Sequence, residues 1–372
     1  MYNFFRTDSK KKLITTIIIL ILILNIIGIL NLLSLASPES LKNTLGLSHV
    51  SIIGKHLKYL IGTFASMFII TLFLNVNKLN KLTIFIMFFI VFGLIYTLVA
   101  GKSVNGARRW IGFGSFTIQF SEFAKLFLIL VLAYMIERAY YIKKERLNIY
   151  IYTGLYTMFC AGLILISRSF SATVQFVLIF ICMYWVSEVI SYKKIIFTVI
   201  CLGFSGVVAI FSKGYRISRL NLENEHALLS MKSISNGGFF GSGYGNGISR
   251  NFYLPEVQTD YIFAGFVDEW GFIGAIVLIT LFILLIYFIF YSAKFANSVY
   301  EKMIIYGVGF MIANQFILHI GINVNLLPST GVTLPFLSAG GSSMLTVGIG
   351  LGFILSIILS MNDKLEEGVI YE

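Results

Sequence analysis

The chain is predicted to be an all-α polytopic membrane protein of about ten transmembrane helices, and three observations predict it. Of its 372 residues 58% are hydrophobic and only 12% charged, far from the balance of soluble globular domains. The apolar residues gather in runs near 13–35, 58–76, 82–100, 118–137, 149–166, 170–190, 195–212, 262–291, 303–322 and 343–361. Each approaches the roughly 20 residues that cross a bilayer as a helix, the form in which the backbone satisfies its own hydrogen bonds in hydrocarbon. Finally, Arg6, Lys10, Lys11 and Lys12 precede the first run, and Lys78, Lys81, Arg138, Lys143, Lys144, Arg146, Lys193, Lys194, Lys294 and Lys302 flank the short connections after every second one.

That spacing sets the expected topology, because short basic loops stay on the cytoplasmic side. A single integral-membrane domain over 1–372 follows, with 1–12 and 362–372 cytoplasmic and a large extracytoplasmic loop at 213–261 between helices 7 and 8. The first run, at about 23 residues, exceeds the 7–15 of a cleavable signal core and reads as a retained anchor. Cys160, Cys182 and Cys201 fall inside apolar runs, where a small buried thiol is the ordinary reading and an odd count argues against a disulfide framework. The net charge of +11 resides largely in the cytoplasmic loops, so nucleic acid is excluded as its cause. Topology does not explain the outward cations Lys102, Arg108, Arg109, Lys213, Arg216, Arg219, Lys232 and Arg250, which imply an anionic ligand outside.

Taken in chain order, the first outward connection is Asn105-Gly106-Ala107-Arg108-Arg109-Trp110-Ile111-Gly112-Phe113-Gly114. Arginine forks suit phosphate oxygens; an aromatic-belt Trp with snorkelling arginines is the bland alternative. The fourth run opens with Gln119-Phe120-Ser121-Glu122-Phe123-Ala124-Lys125, where Glu122 and Lys125 stand three apart on one helix face and neutralise each other. An intramembrane pair of this kind is either functional or a structural lock.

The segment from Lys213 to Asp260 is too long for a plain connection and too aromatic for a solvated linker, so it is expected to fold onto the membrane domain. Its glycine-rich stretch from Asn236 to Gly247 reads as a flexible hinge or a substrate-lining loop, and lacks the Gly-Lys-Ser/Thr of a phosphate loop. At its end Tyr253-Leu254-Pro255-Glu256-Val257-Gln258-Thr259-Asp260 puts a carboxylate where the chain re-enters the membrane. Partial desolvation there suits a general base, while capping of the next helix is the competing role for Asp260. Before the last run, Leu327 to Ser343 carries two prolines and three glycines, expected as irregular backbone lining a cavity.

At these stretches the sequence resembles the SEDS family, the shape, elongation, division and sporulation proteins of the RodA and FtsW type. The segments "GARRWI", "IQFSEFAK", "GGFFGSG", "LPEVQTDYIFA" followed by "GFIG", and "LPSTGVTLPFLSAGGSS" stand in that family's order between about 101 and 352. The resemblance implies a SEDS fold and a peptidoglycan glycosyltransferase that joins lipid II disaccharides, releases undecaprenyl pyrophosphate and works with a class B penicillin-binding protein within a division or elongation complex. It implies Asp260 as the catalytic residue, Glu122 and Lys125 as the family's buried charged pair, and Trp110 with Arg109 as its first outward motif. Charge and placement add Arg108 and either Arg216 or Arg219 as holders of the pyrophosphate, and Thr259, Ser342 and Ser343 complete the expected substrate-binding set. Four positions depart from the family pattern: Phe120 for Pro, Ser169 for Asp, Asp268 for Glu and Ala339 for Tyr. No resident cofactor or protein metal site is expected, a divalent Mg or Mn being admitted with the diphosphate. A lipid II flippase and a non-catalytic scaffold are the competing readings; against the flippase stands the expectation that only Glu122 and Lys125 penetrate the membrane.

Overall fold

The computed structural model describes residues 2–36, 49–104, 107–113, 116–211, 225–250 and 254–360. Ten helices of 18 residues or more lie over the ten apolar runs. They are α1 (Tyr2–Leu35), α2 (His49–Phe73), α3 (Thr83–Ala100), α4 (Phe120–Tyr141), α5 (Arg146–Ile166), α6 (Phe170–Ser187), α7 (Tyr192–Phe211), α9 (Ile262–Ser292), α10 (Val299–Asn323) and α11 (Gly341–Ser360). Among the described residues, α1, α2, α3, α5, α6, α9, α10 and α11 are long and apolar enough to cross a membrane. The four charges Glu122, Lys125, Glu137 and Arg138 set α4 apart, and it is among the most buried helices, from Ala124 to Ala139. Glu122 and Lys125 can be there because protein, not lipid, surrounds them.

The centre of the bundle is α4, α10 and α11. Helix α10 packs on α4, α6 and α9, α11 lies along α2, and α1 runs against α9. Outward-facing Phe85, Phe88 and Phe92 of α3 are exposed, as expected for a helix whose far side meets lipid tails. The basic residues Lys78, Lys81, Lys143, Lys144, Lys193, Lys194 and Lys294 sit in connections at one end of the bundle, or in the first turn after them. The described residues of the motifs singled out above belong to the other end.

At that other end the structure differs from expectation in three ways. The connection between α3 and α4 contains a three-stranded antiparallel sheet, β1 (Lys102–Val104), β2 (Ala107–Phe113) and β3 (Phe116–Gln119), in order β1-β2-β3. Only two residues separate the paired Val104 and Ala107, the spacing of a tight hairpin, for which Asn105-Gly106 is a strong sequence signal. Second, the long segment contains a helix, α8 (Glu225–Gly237), packed against α9.

Third, the glycine-rich stretch is the hydrogen-bonded partner of a break in α9. Gly271 (φ 68, ψ −170) interrupts that helix, and the amides freed at the break donate to the loop, Phe272 N to Gly238 O (3.0 Å) and Ile273 N to Phe239 O (3.3 Å). In return Ser242 N and Gly243 N donate to Asp268 O (3.0 Å) and Glu269 O (3.1 Å). Backbones approach so closely that a Cβ on Gly241 would lie 2.1 Å from Glu269 O. Contact with backbone accounts for Gly237 and Gly241.

Of the thiols, Cys160 is buried as expected, Cys182 is half-buried, and Cys201, midway along α7, is exposed.

Candidate functional site

Asp260 sits in the tight turn that leads into α9. Its amide and that of Thr259 both donate to Glu256 O (3.0 Å each), and Glu256 takes a positive φ of 53°. This turn is gripped from two sides. The irregular segment 324–340 supplies Ala339 N, which donates to Gln258 O (3.0 Å), and the Ser338 hydroxyl, which donates to Thr259 O (2.6 Å). Helix α10 supplies Asn323, whose Nδ2 donates to Asp260 O (3.1 Å).

The segment 324–340 lacks regular secondary structure yet is buried at Val332, Leu334, Phe336, Leu337 and Ser338. Buried backbone needs partners, and α10 provides them through a polar stripe at four-residue intervals. Gln315 Nε2 donates to Thr333 O (2.8 Å) and to the Ser343 hydroxyl (2.6 Å); His319 Nδ1 donates to Val332 O (2.6 Å). Gly331, at φ 70°, then brings backbone against the carboxylate: a Cβ there would lie 3.1 Å from Asp260 Oδ2.

Half-buried in this corner, Asp260 is pushed up to about 6 from an ordinary carboxylate value, by desolvation first and by the Glu256 charge second. A hydrogen bond from Thr259 and the guanidinium of Arg109 act in the opposite direction without cancelling the rise. The Tyr261 phenol beside it is also raised, chiefly by burial.

Residues adjacent on a strand face opposite ways, so β2 does not present its two arginines together. Arg109 is half-buried and acts on Asp260, whereas Arg108 is exposed. Trp110 is half-buried, in register with Gln119 of β3. Arg216 and Arg219 lie outside the described residues.

Glu122 and Lys125 form the expected pair at 2.9 Å, with the Lys125 side chain 1% exposed. Lys125 Nζ also donates to Gln175 Oε1 (2.5 Å). Nearby, the Gln119 amide donates to the Ser342 hydroxyl (2.9 Å). Ser342 and Ser343 are thus both occupied by protein, and through Ser343, Gln315 and Thr333 the start of α11 is tied to the segment that faces Asp260.

Sequence reasoning passed over Gln315, His319 and Asn323, although their spacing of four marks one helix face and buried polar residues in a span are informative. It also placed only Glu122 and Lys125 within the bundle. In fact Asp268 and Glu269 are buried too, Asp268 accepting from Asn236 Nδ2 (2.7 Å), Ser249 N (2.8 Å) and Ser249 Oγ (2.6 Å), and Glu269 from Ser34. The carboxylates can be there because α8, the loop beyond it and α1 bring donors to them, a tertiary arrangement no local pattern announces.

Comparison with known proteins places these features in a family. The chain is 33% identical over 287 residues, 74% of this chain and 77% of the relative, to the "probable peptidoglycan glycosyltransferase FtsW" of Coxiella burnetii. It is 33% identical over 293 residues, 75% and 78% of the two chains, to stage V sporulation protein E of Bacillus subtilis. Two solved structures share the fold. One, from work on a peptidoglycan synthase complex that coordinates polymerization and crosslinking, matches with TM-score 0.76 at 22% identity over 93% of this chain and 97% of that one. The other, rod shape determining protein RodA of Thermus thermophilus, matches with TM-score 0.69 at 23% identity over 92% and 96%. The cell cycle protein family model of FtsW, RodA and SpoVE matches residues 14–363, and the chain therefore belongs to the FtsW/RodA/SpoVE family.

Proposed function

We propose that the chain is a peptidoglycan glycosyltransferase that joins lipid II disaccharide units into glycan strands and releases undecaprenyl pyrophosphate. The observation that carries this reading is the Asp260 corner: a half-buried carboxylate raised to about 6, beside a guanidinium, on a turn held by the protein on two sides. A group ionised at neutral pH but only just is suited to general base work.

Asp260 removes the proton of the acceptor sugar's 4-hydroxyl as that oxygen attacks the donor's anomeric carbon. The bond from that carbon to the diphosphate oxygen breaks, with inversion. Because the diphosphate leaves as a stable anion, no second carboxyl is needed to protonate a leaving alkoxide, as it is in glycoside hydrolysis. Arg109 meets the growing negative charge from the Asp260 side. Exposed Arg108, with Arg216 and Arg219, would steer the diphosphate from further out. Among the described residues no three His, Cys, Asp or Glu side chains gather into a metal site; a divalent Mg or Mn would arrive on the diphosphate oxygens, its customary ligands.

The site end is taken as extracytoplasmic in the bacterial inner membrane, with both termini cytoplasmic. A class B penicillin-binding protein is the partner that would crosslink the strands.

Purified protein mixed with lipid II tests the assignment. Polymer from the wild type and none from Asp260→Asn is expected. Translocation without polymer would assign a flippase, and neither activity would leave a scaffold.

A further inference from the structure

We propose that Asn323 is a positioning residue for the Asp260 carboxylate. The inference rests on the glycosyltransferase reading and extends it to a residue that touches neither sugar nor diphosphate. Asn323 ends α10 and is fully buried. Its two amide hydrogens go to different masters, Asp260 O (3.1 Å) and His319 O (2.8 Å), and its Oδ1 accepts from Ala264 N (3.0 Å).

Each bond has a separate consequence. The bond from Ala264 N satisfies one of the orphan amides in the first turn of α9. The bond to Asp260 O fixes the peptide that carries the carboxylate, and the bond to His319 O locks the carboxamide's own orientation. One planar group therefore sets the turn, the first turn of α9 and the end of α10 in register. Its backbone carbonyl adds a fourth element by accepting from Ser230 Oγ of α8 (2.8 Å).

The opposite wall of the corner is held by the same helix, since His319 holds Val332, the residue after Gly331. The gap between Asp260 and Gly331 is thereby measured along α10, from Asn323 to His319. Misplacing a base by about 1 Å costs on the order of 100-fold in rate.

A plain structural residue would lower the amount of folded protein and leave turnover per folded molecule intact; a positioning residue lowers kcat and spares KM, because substrate contacts are untouched. Polymerisation by purified Asn323→Ala should show kcat down tenfold or more with KM for lipid II within twofold. Ser230→Ala, which loosens α8 from the same residue without altering the carboxamide, should keep kcat within twofold. If Asn323→Ala does not fold, Asn323→Asp serves instead: it keeps the acceptor for Ala264 N and loses both donated bonds. Undiminished kcat in a folded Asn323 variant, or an equal kcat loss in Ser230→Ala, would overturn the proposal alone. A wild-type protein that makes no polymer would overturn it together with the assigned reaction.

Discussion

At residue scale, the Asp260 carboxyl ties activity and stability to pH in opposite directions. As a base it works only when ionised, so the rate should climb about tenfold per pH unit below 6 and level off above, with its midpoint near the folded value of about 6. Glu256→Gln removes the neighbouring like charge and should move that midpoint down. For stability, a carboxyl whose folded value lies above its unfolded one favours the fold at low pH, and that contribution is lost as pH rises from about 4 through 6. At pH 7 the ionised group thus costs up to about 3 kcal/mol. Asp260→Asn should abolish polymer yet raise the midpoint of thermal unfolding at pH 7, with no gain below pH 4. Loss of stability at pH 7 would show that the carboxylate is better satisfied than its burial implies. Gly331→Ala should also lower turnover, since the new methyl would stand 3.1 Å from Asp260 Oδ2 on a backbone at φ 70° that disfavours it by about 1 kcal/mol; kcat at wild-type rate would show that the segment can shift aside.

The four departures from the family pattern also find local explanations at this scale. Phe120 is buried edge-to-face against Phe89 (5.6 Å) and over Gly93, so ring packing sets the entry to α4 that a proline would otherwise set. Ser169 is buried, with its hydroxyl 3.5 Å from Gln119 Nε2. Asp268 is fully engaged by Asn236 and Ser249, and Ala339 acts through its amide to Gln258 O, a bond indifferent to the side chain.

At the scale of elements, the break in α9 and the glycine-rich loop form one unit. Each supplies hydrogen-bond groups the other lacks, and the interface is nearly all backbone. Gly241→Ala should therefore be costly: its Cβ would fall 2.1 Å from Glu269 O and 2.8 Å from Gly271 N, at φ 85°. Backbone on both sides cannot retreat, so the loop should detach, and limited proteolysis should cut near Phe239 and Phe240, already exposed at 60% and 81%. An uncut loop in that variant would mean that Asp268 and Ser249 hold it without help. This unit also marks where sequence patterns stop being informative. Ten apolar runs announce ten long helices, since bilayer thickness imposes their length. Glu122 and Lys125 could be paired because helical spacing alone juxtaposes them. The pairing of Gly238 with Phe272, or of Asn323 with Asp260, joins residues far apart in the chain, and neither period nor composition encodes it. The sheet lies between these cases: Asn105-Gly106 is a local signal for a hairpin, but its strands are too short to show alternation.

On the scale of the whole molecule, the bundle has two chemically distinct ends, and which end faces outward decides whether the proposed reaction has its substrate. Lys143, Lys144, Lys193, Lys194 and their neighbours crowd one end in short connections. Asp260, the sheet and the exposed rings of Phe239, Phe240 and Tyr244 occupy the other. The bias of Lys and Arg in short loops orients a membrane protein with those loops in the cytoplasm. Single-cysteine labelling in intact cells measures this directly, after replacing Cys160, Cys182 and Cys201 by alanine. Cys201 in particular must go, because it alone of the three is exposed. An impermeant maleimide should then label Phe240→Cys and leave Lys143→Cys silent until the cells are opened. Reversal of that pattern would put Asp260 on the cytoplasmic side, where a base for strand polymerisation outside the cell could serve no acceptor.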